Sequence, residues 1–117
     1  YLNTWDDDED DSTNQTSRPR KTRDEELADD AFNLQAEERY REALKLIAEA
    51  IDINPRGPNN WNVKAIIIDN MGLHEDALQF YDRSLELDDS DVVKANKAQC
   101  LLRIARNRKF SDNESSV

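Results

Sequence analysis

Few residues in this chain could carry catalytic or metal chemistry. There is one histidine, His74, and one cysteine, Cys100. A zinc site built from histidine and cysteine alone needs more ligands than these two residues supply. A Cys–His pair for nucleophilic catalysis would need the two side chains adjacent in the fold. The sequence therefore predicts no metal site. We expect His74 to have a packing or partly exposed role between helices, and Cys100 to be a small groove or core residue.

Carboxylates are abundant, with 26 Asp and Glu residues, but abundance does not make a site. Acid–base catalysis needs two carboxylates in different environments around one pocket, whereas these residues fall mostly on the polar faces of predicted helices. The only two glycines, Gly57 and Gly72, are too few for a glycine-rich phosphate loop. We therefore expect no enzymatic activity and no cofactor.

Negative charge is the dominant property of the composition. Charged residues make up 36% of the 117 residues and the net charge is -10. Phosphate backbones and anionic membranes attract clustered Lys and Arg, so we expect no nucleic acid or membrane partner and favour a neutral or basic protein. A single cysteine excludes an internal disulfide, which is typical of a cytoplasmic protein. Because the chain begins at Tyr1 rather than Met, we interpret it as a fragment.

Residues 1–23 are predicted to form a disordered leader, because no apolar period runs through them. An acidic block, DDDEDD, occupies residues 6–11, and a basic cluster follows it. Three functional interpretations remain open. The alternating aspartates resemble a calcium loop but lack its central glycine and terminal glutamate; the acidic block could attract a basic partner; and Asn14 and Asn113 match the N-glycosylation pattern.

From residue 24 onward, apolar residues recur at three- and four-residue intervals, which predicts amphipathic helices. Pro55 ends one helix, Pro58 suits the first position of the next, and Gly72 supplies a left-handed turn. The predicted helices cover residues 24–37, 40–53, 58–71, 74–87 and 92–105.

The helices repeat with a period of 34 residues, and such self-similarity predicts a stacked helical repeat. Small or apolar side chains recur at this spacing in the pairs Leu27/Trp61, Leu34/Ile68, Ala43/Ala77, Leu44/Leu78, Ile47/Tyr81, Ala50/Ser84 and Ile51/Leu85.

This pattern resembles the tetratricopeptide repeat (TPR) family. The family's signature positions carry Leu27, Ala31, Ala43, Ile47, Ala50 and Pro55 in the first repeat, and Trp61, Ala65, Ala77, Tyr81, Ser84 and Asp89 in the second. The resemblance implies an all-α solenoid of about two and a half repeats, with five helices in antiparallel pairs over residues 24–106. A disordered tail is predicted over residues 107–117. The register of the third repeat is open between Ala98 and Gln99 at one small-residue position.

In the TPR family the first helix of each repeat lines a concave groove that binds extended peptides. The resemblance carries this groove onto Phe32, Gln35, Asn62, Ile66, Asp69, Asn70, Asn96, Cys100 and Arg103. Phe32, Ile66 and Cys100 would form an apolar stripe along it, unless Phe32 and Ile66 only fill space between helices. The amides of Asn62 and Asn96 could bond a peptide backbone. The implied function is a scaffold for protein–protein interaction.

Two further expectations concern the partner. A TPR subgroup that grips chaperone tails carries Lys and Asn where this sequence has Ala28 and Phe32, so we expect an internal segment as ligand. The main alternative is a structural or self-association segment of a longer TPR protein. Helix 92–105 is apolar around much of its surface and could form a homodimer.

Overall fold

The computed structural model describes residues 20–115, with side chains through Lys109, and five α-helices account for most of this range. They are α1 (Arg23–Ala36), α2 (Tyr40–Ile53), α3 (Pro58–Asn70), α4 (His74–Leu87) and α5 (Asp91–Ser115). None of the described residues belongs to a strand. The predicted all-α class is therefore confirmed. The predicted leader lies almost wholly outside the described residues.

Helix α1 begins at a capping box and is tied to the α2–α3 connection by one buried carboxylate. The Thr22 backbone N–H donates to Glu25 Oε1 at 2.9 Å, and the Thr22 hydroxyl donates to Asp24 Oδ1 at 2.5 Å. Asp24 Oδ2 also accepts from the amides of Asn60 at 3.0 Å and Asn54 at 3.2 Å. These donors, with Thr22 the strongest and Asn60 next, lower the pKa of Asp24. Helix α1 is thereby joined to the region where α2 ends and α3 begins.

The connection between α2 and α3 is short because proline interrupts one helix and starts the next. Asn54 caps α2, and Pro58 occupies the first position of α3, where the missing N–H costs no hydrogen bond. Trp61 Nε1 donates to the Pro55 carbonyl at 2.8 Å, which anchors the first turn of α3 to the connection. The predicted helix boundary is thus found within a residue of its expected place.

The turns after α1 and α3 each place a residue in the left-handed conformation at the equivalent position. Glu38 has φ 66°, and Gly72, 34 residues later, has φ 92°. Each turn closes with the same bond: Arg39 N–H donates to the Leu34 carbonyl at 2.9 Å, and Leu73 N–H donates to the Ile68 carbonyl at 3.1 Å. Glycine adopts this conformation without strain, whereas in glutamate the Cβ atom crowds the neighbouring backbone.

Two apolar clusters form the core, and α3 contributes to both. The first cluster joins α1, α2 and α3 and comprises Leu27, Ala28, Ala31, Ala43, Ile47, Ala50, Val63 and Ile67. The second joins α3, α4 and α5 and comprises Ala65, Ala77, Tyr81, Val93, Cys100 and Ile104. Three of the 34-residue pairs, Ala43/Ala77, Ile47/Tyr81 and Ala50/Ser84, are buried in both members. Ser84 satisfies its hydroxyl by donating to the Pro58 carbonyl at 2.8 Å.

Helix α5 is longer than predicted. It runs to Ser115, whereas the sequence analysis ended it near Ala105 and treated residues 107–117 as a disordered tail. That prediction is wrong as far as Ser115. The segment 106–115 lacks apolar periodicity, but it also contains no glycine or proline, so nothing stops the backbone hydrogen-bond ladder.

None of the described helices has a stretch that is both long and apolar enough to cross a membrane.

Substitutions at the two left-handed turns are expected to have opposite effects on stability. Gly72→Ala should lower the free energy of unfolding by about 1 kcal/mol, and Glu38→Gly should raise it by about 0.5 kcal/mol, because one adds and the other removes a Cβ at positive φ. A Cβ on Gly72 would meet no atom within 4 Å, so its effect isolates backbone strain. Urea unfolding of both variants measures this, with Glu37→Gly as the control. An unchanged stability of Gly72→Ala would contradict the turn geometry.

Candidate functional site

Two adjoining depressions lie where α1, α3 and α5 face one another. The first has a volume of about 600 Å³ and is lined by Lys21, Asp29, Phe32, Asn33, Asn59, Asn62, Val63, Ile66, Val92 and Asn96. The second has about 390 Å³ and is lined by Phe32, Gln35, Ile66, Asp69, Asn70, Tyr81, Asn96, Gln99 and Arg103. Phe32, Ile66 and Asn96 belong to both. We call the two together the α1–α3–α5 groove. Eight of the nine residues predicted from the sequence line it, and Cys100 does not.

The lining of the groove is polar but carries little unbalanced charge. Lys21 forms an ion pair with Asp29, and Arg103 Nη1 lies 2.6 Å from Asp69 Oδ2. The remaining polar groups are mainly side-chain amides, from Asn33, Asn59, Asn62, Asn96, Gln35, Asn70 and Gln99. An amide offers two donors and an acceptor without a charge. The surface is therefore suited to another uncharged polar group.

Two amide pairs also connect the helices that form the groove. Asn70 Nδ2 donates to Gln35 Oε1 at 2.6 Å, linking α3 to α1. Asn96 Nδ2 donates to Asn62 Oδ1 at 3.2 Å, linking α5 to α3. Because each side-chain amide can form up to four hydrogen bonds, these contacts leave capacity for a ligand. The predicted polar residues thus line the groove and also hold together the helices that form it.

The apolar part of the groove sits at the junction of the two depressions. Phe32 is 44% exposed, although it is a large aromatic residue. Ile66 is half-buried and packs against the second core cluster. These two residues form the first two members of the apolar stripe predicted from the sequence.

Cys100 does not continue that stripe. Its side chain is fully buried in the second core cluster, and its Sγ donates to the His74 carbonyl at 3.1 Å. Burial, together with the nearby Asp69 carboxylate, raises the pKa of the Cys100 thiol to about 11. Helix α5 turns this residue toward the start of α4, and Gln99 lines the groove in its place. The predicted groove role of Cys100 is therefore wrong.

Asp69 lines the groove wall, but its carboxylate is engaged by the protein. The side chain is 1% exposed. Oδ1 lies 2.5 Å from His74 Nδ1, while Oδ2 accepts from Arg103 Nη1 at 2.6 Å and from the Tyr81 hydroxyl at 3.2 Å. Burial of the phenol and the charge of Asp69 raise the pKa of Tyr81. Asp69 therefore joins α3 to α4 and α5 and has little capacity left for a peptide.

The structure also brings His74 and Cys100 together, which the sequence analysis did not anticipate. One ligand atom each from Asp69, His74 and Cys100 lies within 4.8 Å of the other two. The cluster differs from a histidine–cysteine set because its third member is the Asp69 carboxylate. The 34-residue register offered a usable signal: it pairs Asp69 with Arg103, and Cys100 precedes Arg103 by three residues on the same helix face.

No protein-family model, curated protein or solved structure matches this chain.

The contacts of Asp69 predict that removing the Tyr81 hydroxyl destabilises the protein more than removing the Tyr40 hydroxyl does. Tyr81→Phe should lower the free energy of unfolding by about 1–2 kcal/mol, because it removes a donor from a buried carboxylate. Tyr40→Phe is the matched control, since among the described residues the Tyr40 hydroxyl has no side-chain partner within hydrogen-bond distance. Urea unfolding compares them. Equal losses in the two variants would contradict a specific role for the Tyr81–Asp69 bond.

Proposed function

We propose that this chain is a TPR-like helical array that serves as a protein-interaction scaffold and binds an extended peptide segment in the α1–α3–α5 groove. The observation that carries the proposal is the groove itself, whose two depressions share Phe32, Ile66 and Asn96. Two bonds across it join residues 34 positions apart, Asn62 to Asn96 and Asp69 to Arg103. This equivalence of position supports a repeat-like stacking of α3 and α5.

The lining favours a ligand recognised through its main chain. Side-chain amides can donate to peptide carbonyls and accept from peptide N–H groups, and neither contact depends on the ligand's sequence. Exposed Phe32 and half-buried Ile66 provide a place for one apolar side chain. Since the charges of the lining are paired, a strongly charged segment would lose hydration without gaining an ionic partner.

The net charge of the whole chain favours neutral or basic residues on either side of the bound segment. A net charge of -10 attracts cationic partners and speeds their association. The proposed ligand is therefore an internal, uncharged segment of a protein with neutral or basic flanks. A cytoplasmic location and the absence of enzymatic activity are part of the same proposal, consistent with one buried, reduced cysteine.

Peptides selected from a random display library on the full chain provide the test. For such peptides, Phe32→Ala should weaken binding by roughly tenfold, since it removes the exposed aromatic contact surface at the junction of the depressions. Ile53→Ala is the matched control, because Ile53 is similarly exposed, at 50%, and does not line the groove. Calorimetric titration measures both affinities.

A second substitution separates binding from folding. Asn33 is exposed and lines the first depression, so Asn33→Ala should leave the unfolding midpoint unchanged while weakening binding by roughly fivefold for one lost hydrogen bond. If selected peptides bind the Phe32 and Asn33 variants as tightly as the unaltered chain, the groove is not the binding surface.

Self-association is a second candidate function, favoured by the outer surface of α5. Leu102 is 60% exposed, Leu101 is 47% exposed, and neither lines the groove. Adjacent exposed leucines on one helix are typical of association surfaces. Repeat arrays ordinarily end in a helix with a polar outer face. On α5 the exposed Leu101 and Leu102 interrupt such a face, so a second copy could cover them.

Sedimentation equilibrium over a concentration series distinguishes this candidate from the groove. Self-association through α5 predicts a dimer that Leu102→Lys dissociates without loss of helix content, because a lysine ammonium cannot be buried unpaired in an apolar interface. Leu73→Lys is the control, since Leu73 is 46% exposed and lies outside α5. A monomer at millimolar concentration would remove the candidate.

A further inference from the structure

Three side chains of different chemistry converge where α3, α4 and α5 meet. Asp69 lies next to the last residue of α3, His74 is the first residue of α4, and Cys100 lies within α5. A carboxylate oxygen, an imidazole nitrogen and a thiol sulfur lie within 4.8 Å of one another. They supply the three kinds of donor atom that bind zinc in proteins.

We propose that Asp69, His74 and Cys100 form a Zn²⁺ site that connects α3, α4 and α5. Tetrahedral zinc with bonds of about 2.0–2.3 Å holds its ligand atoms roughly 3.4–3.8 Å apart. His74 Nδ1 and Asp69 Oδ1 are now 2.5 Å apart, so the imidazole must move outward by about 1 Å to admit the ion. Three protein ligands leave the fourth position for a water molecule.

The partners of Asp69 support this assignment. Arg103 and Tyr81 both donate to Oδ2, which fixes the carboxylate and leaves Oδ1 directed at His74. Hydrogen bonds of this kind hold a ligating carboxylate in its binding orientation. On binding, the ion would replace the Asp69–His74 hydrogen bond and the thiol hydrogen bond of Cys100, whose proton would leave to solvent.

The burial of the three side chains identifies the route of entry. Asp69 is 1% exposed and Cys100 is fully buried, whereas the His74 side chain is 18% exposed. Rotation of the imidazole therefore opens the cluster from the surface. The thiolate supplies one negative charge, and the carboxylate supplies a second that it shares with Arg103, so together they reduce the cost of burying a divalent cation.

Cobalt provides a probe that reports the thiolate directly. Titration of the full chain with Co²⁺ should produce a thiolate-to-cobalt charge-transfer band at one equivalent, and Zn²⁺ should displace it. The acidic block at residues 6–11 can also attract divalent cations, but its carboxylates cannot produce this band. Cys100→Ser should remove the band and weaken Zn²⁺ binding by at least about tenfold.

A matched control and a second variant make the outcome decisive. Asp76→Asn removes an exposed carboxylate near the start of α4 and should retain the band. If Cys100→Ser loses its helical circular dichroism, His74→Gln decides instead: Zn²⁺ should raise the melting temperature of the unaltered chain but not that of this variant. Absence of the band in the unaltered chain, or equal Zn²⁺ effects on the unaltered chain and a folded ligand variant, would overturn the site.

Discussion

The carboxylate of Asp69 is the interaction on which the second half of the fold depends. It lies in the last turn of α3, where the helix dipole disfavours negative charge, and it is 1% exposed. An ionised carboxylate buried without partners would cost several kcal/mol. His74, Tyr81 and Arg103 offset that cost, and they belong to the two helices that follow. Satisfying one charge therefore requires α4 and α5 to pack in one arrangement.

Helix α3 connects the Asp69 contacts to the rest of the molecule. Its side chains enter both apolar clusters, and its amides bond to Gln35 on α1 and Asn96 on α5. The groove walls are thus fixed by the same contacts that hold the helices together. Phe32 remains largely free of these contacts and is 44% exposed, which is why it is assigned to the ligand rather than to stability.

The sequence predicted the helices well where local chemistry determines their ends, as at Pro58 and Gly72. It failed at the end of α5, because a lack of apolar residues does not stop a helix. It also failed for Cys100, whose orientation depends on how α5 rotates against α4. The 34-residue spacing did carry information about Asp69 and Arg103, but their opposite charges become a bond only when the helices stack in that register.

A double-mutant cycle on Asp69 and Arg103 tests most directly whether this bond organises the helices. The free energies of unfolding of Asp69→Asn, Arg103→Gln and the double variant would be measured in urea and compared with that of the unaltered chain. The account predicts that the double variant loses less stability than the two single variants together, with a coupling of at least about 1 kcal/mol. Losses that add to within about 0.3 kcal/mol would contradict it.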